Sequence, residues 1–167
     1  MPRSQIDEQL AYLESVHGRT RNVIACIPAD KVEWTYAPGR FTFGDLVRHV
    51  AATERYLFTE NARHRPSRYP GHGAELAAGF DEVLAYFDRL HAESMGELRQ
   101  LTDEDLLKKC TTVAGVSITT WKWLRAMAEH EIHHRGQIYT MLGMLGVAAP
   151  PLYGLTEPDV RARSAEI

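Results

Sequence analysis

Two histidines, His130 and His134, stand four positions apart near the C-terminal end of the chain. Residues at this spacing lie one above the other on the same face of an α-helix, so the two imidazoles can converge on one metal ion. The same helical stripe is otherwise apolar, and its other members are Trp123, Met127, Ile138, Met141 and Leu145. The pair is therefore predicted to face the interior, as metal ligands or as core histidines that hydrogen-bond to a neighbouring helix. A third ligand is needed to decide between these interpretations.

His49 is the candidate for that third ligand. Thr42 is a predicted N-cap with Asp45 in the first turn, and an apolar stripe follows in which His49 stands beside Val50. A neighbouring helix of a bundle would bring His49 level with the pair. His17, on the inner stripe of the first predicted helix, is a further candidate ligand, with a hydrogen-bonded core histidine as the alternative.

A zinc protease motif competes for the same residues, because His130, Glu131 and His134 also satisfy the pattern H-E-x-x-H. In such proteases the glutamate is the general base. The longer metzincin pattern fails, since Gln137 and Thr140 stand where a glycine and a histidine are required. The chain before this motif is helical and offers no sheet to hold a peptide, so the protease interpretation is disfavoured.

Four amphipathic segments position these residues. The apolar periodicity predicts helices at about 4–27, 43–62, 75–99 and 119–145. Ser4 is the predicted N-cap of the first helix, and Thr119 or Thr120 that of the fourth. The β-branched run before the fourth helix predicts a short extended segment, and the paired prolines after Gly146 predict an extended tail. The expected fold is an all-α four-helix bundle that forms a single domain over residues 1–167.

Two groups in the predicted loops have open roles. Trp34 and Tyr36 either pack over the end of the core or form the lip of a pocket. Three arginines, Arg63, Arg65 and Arg68, are either solvated charges near a helix C-terminus or an anion-binding group.

Composition limits the function further. The chain has 167 residues, a net charge of -3 and two cysteines, Cys26 and Cys110, in no CxxC pattern. The absence of a basic excess argues against a nucleic-acid surface, and no apolar run approaches the roughly 20 residues of a membrane helix. The first residues contain no apolar signal segment, so a cytoplasmic protein without a membrane or nucleic-acid partner is expected.

Three runs, FTFGDLVRHVAATE, HEIHHRGQIYTML and PPLYGLTEPDV, resemble the DinB superfamily, also known as YfiT-like metal-dependent hydrolases. The resemblance implies a four-helix bundle, commonly a homodimer, that binds a divalent metal ion through a histidine of helix 2 and an HxxxH pair of helix 4. The matching positions are His49, His130 and His134. Members of this superfamily include thiol S-transferases that use bacillithiol or mycothiol, maleylpyruvate isomerases and hydrolase-like proteins.

The ligands limit the expected chemistry. Three neutral imidazoles leave a coordination position open for a water or a thiolate, and zinc, nickel and iron all suit such a site. The ligands fit hydrolysis and thiol chemistry equally, and it is the resemblance that favours a metal-dependent thiol S-transferase acting on a small electrophile together with a low-molecular-weight thiol. A metal-dependent hydrolase and a non-enzymatic, metal-braced bundle are the alternatives. Thr53, Glu131 and Gln137 are candidates for orienting the ligand rings.

Overall fold

The structure is a computed structural model, and it describes residues 4–165. The chain is mostly helical, as the sequence predicts. In chain order the elements are α1 (Gln5–Ile24), a 3₁₀ turn (Ala29–Lys31), α2 (Phe43–Thr53), a π-helical turn (Glu54–Phe58), α3 (Thr59–Ala62), α4 (Phe80–Leu98), α5 (Asp103–Leu107), β1 (Lys109–Thr111), β2 (Ser117–Thr119), α6 (Thr120–Met144) and α7 (Glu157–Arg163).

The predicted start of α1 is confirmed, because the Ser4 hydroxyl accepts a hydrogen bond from the backbone N–H of Asp7. The helix ends at Ile24, three residues before the predicted end, and Pro28 follows one turn later. The buried side chains of α1 recur at helical spacing and pack mainly against α6. The first amphipathic segment is thus one long bundle helix.

The second predicted helix contains a π-helical turn that is not predicted from its sequence. A capping box of Thr42 and Asp45 begins α2, as the sequence predicts. At Glu54–Phe58 the helix widens to i→i+5 hydrogen bonding before α3 completes the segment at Ala62. The wider turn adds one residue, so every later side chain is rotated by about 100° relative to a continuous α-helix.

The third helix starts at Phe80 rather than near residue 75. Gly79 has a left-handed backbone (φ +79°), which ends helical geometry on its N-terminal side. The preceding carbonyls are held by a buried arginine instead, since Arg48 donates hydrogen bonds to the carbonyl oxygens of His72 and Ala77. The prediction of a helix from residue 75 is wrong for these two reasons.

Between the third and fourth bundle helices, the predicted extended segment is an antiparallel hairpin. Cys110 pairs with Ile118 at its centre, and the turn contains Gly115 with φ +76°. Thr119 occupies the N-cap position of α6, but its side chain makes no capping hydrogen bond. The Thr120 hydroxyl donates to the Lys108 carbonyl instead. A threonine is therefore at the predicted N-cap position, but its side chain does not make the predicted capping hydrogen bond.

Beyond α6 the tail first packs against the core and then lies at the surface, where Arg19 of α1 lies over the ring of Tyr153. Val147 and Ala149 pack against the core, and the Tyr139 hydroxyl donates to the Pro150 carbonyl. Tyr153 is exposed, and α7 has no buried residue. Among the described helices, none is long and apolar enough to cross a membrane.

A polar layer divides the core of the bundle into two apolar clusters. One cluster contains Val23, Val47, Phe87 and Ile138, and the other contains Leu13, Phe58, Leu98 and Leu124. On each long helix, polar side chains stand where the residues change from one cluster to the other. They are His17 and Thr20 of α1, His49 and Glu54 of the second segment, His91 and Ser94 of α4, and His130, Glu131, His134 and Arg135 of α6. We call this set the polar layer.

Candidate metal centre

Helix α6 presents polar side chains on two faces that are about 100° apart around the helix. His130 and His134 face one side, where they meet His49 of α2. Glu131 and Arg135 are buried on the other side, towards α1. The polar layer therefore contains two separate clusters, one on each side of this helix.

The first cluster brings His49, His130 and His134 together by their Nε2 atoms. The Nε2 of His130 lies 3.1 Å from that of His49 and 3.2 Å from that of His134. Nitrogen ligands about 2.1 Å from a tetrahedral ion stand about 3.3–3.4 Å apart, so these separations are close to those that an ion would impose. The structure thus assembles the three imidazoles that the sequence singled out.

The inclination of the rings decides whether their lone pairs can meet. The lone pair of an imidazole nitrogen lies in the plane of its ring, so two ligands of one ion need planes that cross at that ion. The ring of His134 is inclined by 75° to that of His130 and by 83° to that of His49, and the other pair is inclined by 56°. Three planes at such angles can share one point.

Two outer hydrogen bonds hold the rings. The side-chain oxygen of Gln137 accepts from His134 Nδ1 at 2.7 Å, which leaves the Nε2 of the neutral ring without a proton. The hydroxyl of Tyr69 lies 2.8 Å from His49 Nδ1 and 3.2 Å from His72 Nδ1. Of the orienting residues predicted from sequence, only Gln137 contacts a ligand ring. Thr53 donates to backbone carbonyls, and Glu131 lies on the other side of α6.

Burial keeps these imidazoles neutral. It lowers the pKa of His130 to about 3, and the nearby His134 and His49 add to this effect. Burial, followed by the proximity of His134 and His72, lowers the pKa of His49 to about 4. Metal ions bind the neutral imidazole, so the cluster is in the binding form at neutral pH without assistance.

Aromatic rings form the walls of the cluster. Phe58 lies against His130, with ring centroids 5.6 Å apart, and Trp123 packs on Phe58. On the opposite side, Phe41 lies 5.6 Å from His49 between ring centroids. The imidazoles therefore stand in a largely apolar enclosure, where a charge or a lone pair is poorly hydrated.

A cavity of about 480 Å³ adjoins this enclosure. Phe41 and Gln137 line it and also contact the histidine cluster. Tyr36 lines it as well and is half exposed, whereas Trp34 packs against Phe43 in the core. Tyr36 thus has the predicted role at the lip of a pocket, and Trp34 has the predicted role of packing over the core.

The second cluster contains His17, Glu54 and His91. Their ligand atoms lie within 4.8 Å of one another, like those of the first cluster. The rings of His17 and His91, however, stack face to face, with centroids 3.6 Å apart and an inclination of 8°. Two rings stacked in nearly parallel planes cannot direct their lone pairs at one ion. In this arrangement the cluster is held by hydrogen bonds and ring stacking and is not a second metal centre. The structure does not bring His17 to the first cluster.

Hydrogen bonding and ring stacking join the second cluster to its neighbours in the core. His91 Nδ1 lies 3.0 Å from a carboxylate oxygen of Glu54, and His17 also stacks on Phe87. Sequence reasoning gave Glu54 and His91 no role. His91 stands beside Leu90 on the inner face of its helix, which was the available signal.

Glu131 faces the second cluster. Its carboxyl group is buried, one of its oxygens has no hydrogen-bond partner among residues 4–165, and burial together with the charge of Glu54 raises its pKa to about 7. A protease base would have to reach a substrate at the His130–His134 side of the helix. The position of Glu131 therefore argues against the H-E-x-x-H interpretation.

The three loop arginines stay partly exposed after the end of α3 and also pair with carboxylates of the bundle. Arg65 and Arg68 form ion pairs with the buried carboxylate of Glu60, and Arg63 pairs with Glu97. These arginines fasten the loop after α3 to the bundle.

The fold and the cluster of three converging imidazoles define a helical-bundle protein with a candidate metal centre in its core. The sequence profile of the DinB superfamily matches residues 12–138, which is most of the chain. The chain belongs to the DinB superfamily.

Solved structures give the same fold. A DinB-like protein from Bacillus cereus superposes with a TM-score of 0.74 at 17% identity over 90% of this chain and 99% of its own. A DinB-like protein from Bacillus subtilis reaches 0.72 at 19% identity, over 87% and 97%. YfiT from Bacillus subtilis, described as a probable metal-dependent hydrolase with an unusual four-helix bundle topology, reaches 0.66 at 21% identity, over 89% and 94%. No curated protein matches the chain.

Proposed function

We propose that the protein binds one divalent metal ion through His49, His130 and His134 and is a metal-dependent enzyme that acts on a small molecule. The observation that supports this most directly is the convergence of three Nε2 atoms, 3.1 and 3.2 Å apart, on inclined ring planes. Zinc and nickel are the expected ions, and iron also suits three imidazoles. When bound, such an ion would lower the pKa of a coordinated water to about 7 or hold a thiol as its thiolate.

The residues around the cluster favour a thiol as the nucleophile. The ligand group within the described residues consists of three imidazoles and includes no carboxylate, and Glu131 is turned away. A thiol held at a metal ion is fully ionised and needs no protein base, whereas a coordinated water with a pKa of about 7 is only partly ionised at neutral pH and gains more from a base. We therefore propose thiol transfer to a small electrophile as the reaction, in which the apolar walls exclude competing water.

Hydrolysis is the second candidate, supported by the likeness to YfiT and its description as a probable metal-dependent hydrolase. The base that hydrolysis would have at hand is His72, whose Nδ1 lies 3.2 Å from the Tyr69 hydroxyl beside His49. The two reactions therefore differ in their need for His72. A His72→Ala variant should lose hydrolysis of an activated ester such as 4-nitrophenyl acetate but keep transfer of a thiol to 1-chloro-2,4-dinitrobenzene.

Metal binding is tested first, on protein prepared without a histidine tag. We expect one metal ion per chain by elemental analysis, and loss of most of it in His49→Ala. His133→Ala is the matched control, because His133 lies beside His134 on the same helix but is exposed. A stoichiometry that is the same in His49→Ala and in the wild type would contradict the ligand assignment. Full metal content without turnover of either substrate would favour the non-enzymatic bundle.

A further inference from the structure

The cavity beside the histidine cluster has the chemistry of a binding site for an amphiphilic anion. It lies between the loop of residues 36–41, α2 and the C-terminal half of α6. Its volume of about 480 Å³ is within the range of small-molecule sites.

Most of the lining is apolar and part of it is uncovered. Phe41, Leu46 and Met141 form the inner part. Tyr36 and Met144 stand at the outside with 51% and 58% of their surface exposed. Large apolar side chains left exposed around one concavity indicate a ligand that covers them, and methionine adapts readily to the shape of a ligand.

One end of the cavity reaches the candidate metal centre. Gln137 lines the cavity while its side-chain oxygen holds His134, and Phe41 lies against His49. From Gln137 to Met144 the helix advances by about 10 Å at 1.5 Å per residue. A molecule of that length would place one end next to the histidines and extend its body along α6.

Arg40 supplies the charge of this cavity. It is exposed, and the lining residues, all within the described chain, include no acidic side chain to neutralise it. Gly39, with φ +73°, makes the turn before it, and the Arg40 N–H donates to the Ala37 carbonyl. A guanidinium held at the edge of an apolar cavity is suited to a carboxylate, sulfonate or phosphate group.

We infer that this cavity binds a small molecule with an apolar body and an anionic group, and that Arg40 selects the anion. As a statement about the substrate, this rests on the proposed function. As a statement about binding, it does not need the metal ion. The two can therefore fail separately.

Three probes with one apolar body test the inference: 4-phenylbutyrate, 4-phenylbutan-1-ol and 4-phenylbutylamine. Their affinities for the full chain are measured by calorimetry after removal of metal ions with a chelator. We expect the carboxylate to bind about fivefold more tightly than the alcohol, the gain of one partly exposed ion pair, and the amine to bind most weakly. Equal affinities for the three probes would overturn the inference.

Variants identify the residues. Arg40→Gln should abolish the preference for the carboxylate and leave the affinity of the alcohol unchanged, whereas Met141→Asp should weaken both. Arg161→Gln is the control, because Arg161 is an exposed arginine of α7 outside the cavity. A preference that survives Arg40→Gln would remove Arg40 from the site.

His49→Ala separates this inference from the proposed function. If the cavity is correctly assigned, His49→Ala keeps the preference for the carboxylate even where metal binding is lost or was never present. If the carboxylate binds only to metal-loaded protein and not to His49→Ala, the ion rather than Arg40 holds the anion, and the inference is wrong.

Discussion

At the scale of single residues, the angle between rings separates two clusters that distance alone would treat alike. Both have three ligand atoms within 4.8 Å of one another. In one, the rings of His130 and His134 are inclined by 75°, and in the other, the rings of His17 and His91 by 8°. Rings stacked face to face cannot direct both lone pairs at one ion, whereas the inclined pair can. We therefore expect metal ions to bind at the first cluster and protons to be exchanged at the second.

The hydrogen bond from His134 to Gln137 leads to a first prediction about metal affinity. Gln137→Leu removes the acceptor for His134 Nδ1 without touching a ligand atom. Loss of such an outer partner should weaken metal binding by about 10–100-fold. Competition with a chelator of known affinity measures the effect, and Gln5→Leu, an exposed glutamine at the start of α1, is the control. Unchanged affinity in Gln137→Leu would show that helix packing alone orients His134.

The pair of His91 and Glu54 predicts a pH dependence of stability. Burial alone would lower the pKa of His91, but the hydrogen bond and charge of Glu54 outweigh it, and the pKa of His91 is raised. A raised pKa stabilises the folded state fully below the unfolded value of about 6.5, and this stabilisation is lost as pH rises through the folded value.

Urea unfolding of metal-free protein at pH 6 and pH 8.5 tests this dependence. The free energy of unfolding should differ more between the wild type and His91→Gln at pH 6 than at pH 8.5. A difference that is larger at pH 8.5 would mean that the imidazole is neutral in the folded state.

At the scale of elements, the sequence predicts what local chemistry determines. The caps by Ser4 and Thr42 and the stripe through His130 and His134 depend on residues a few positions apart, and all are found. The π-helical turn and the late start of α4 depend instead on contacts between distant segments. Arg48, which holds the chain before α4, reads as an ordinary surface residue until its partners at Glu33, His72 and Ala77 are known.

We therefore expect a substitution of Arg48 to destabilise several elements at once. Its guanidinium is fully buried and joins α2 to Glu33 and to the segment that contains His72 and Ala77. Arg48→Met should lower the free energy of unfolding by about 3 kcal/mol, because it leaves the carbonyl oxygens of His72 and Ala77 without their donor. It should also weaken metal binding, since Tyr69 and His72 lie in the segment that it releases.

A matched arginine gives the comparison for this effect. Arg125 pairs with Glu129 on the surface of α6, so Arg125→Met should cost at most about 1 kcal/mol. Chemical unfolding measures both variants. Equal losses in the two would show that Arg48 is no more than a surface charge.

At the scale of the whole molecule, the polar layer lies between two apolar clusters and is built from all four long helical segments. The convergence of His49, His130 and His134 could be predicted from sequence because these histidines interrupt apolar stripes. The second cluster could not, since Glu54 and His91 meet only through the packing of α4 against the π-helical turn. A single domain, a homodimer and a cytoplasmic location stay predictions, and light scattering of the purified chain tests the second.

Metal binding should stabilise the whole chain, because the ligands come from α2 and α6 and are brought together only in the folded state. A free ion at 100 times its dissociation constant adds about 2.7 kcal/mol. For a chain of this size we expect Tm to rise by about 5–11 °C. Scanning calorimetry with and without zinc measures the rise. It should vanish in His49→Ala and persist in His133→Ala, and a rise that persists in both would locate the ion elsewhere.

Helix α6 borders both polar clusters, since His130 and His134 lie on one of its faces and Glu131 and Arg135 lie on the next face. A small rotation or slide of this helix on binding of an ion or ligand at the first cluster would alter the surroundings of the imidazole–carboxylate pair in the second. The ring nitrogen resonances of His91 in an isotopically labelled sample would then report whether an ion or ligand occupies the cluster of His49, His130 and His134.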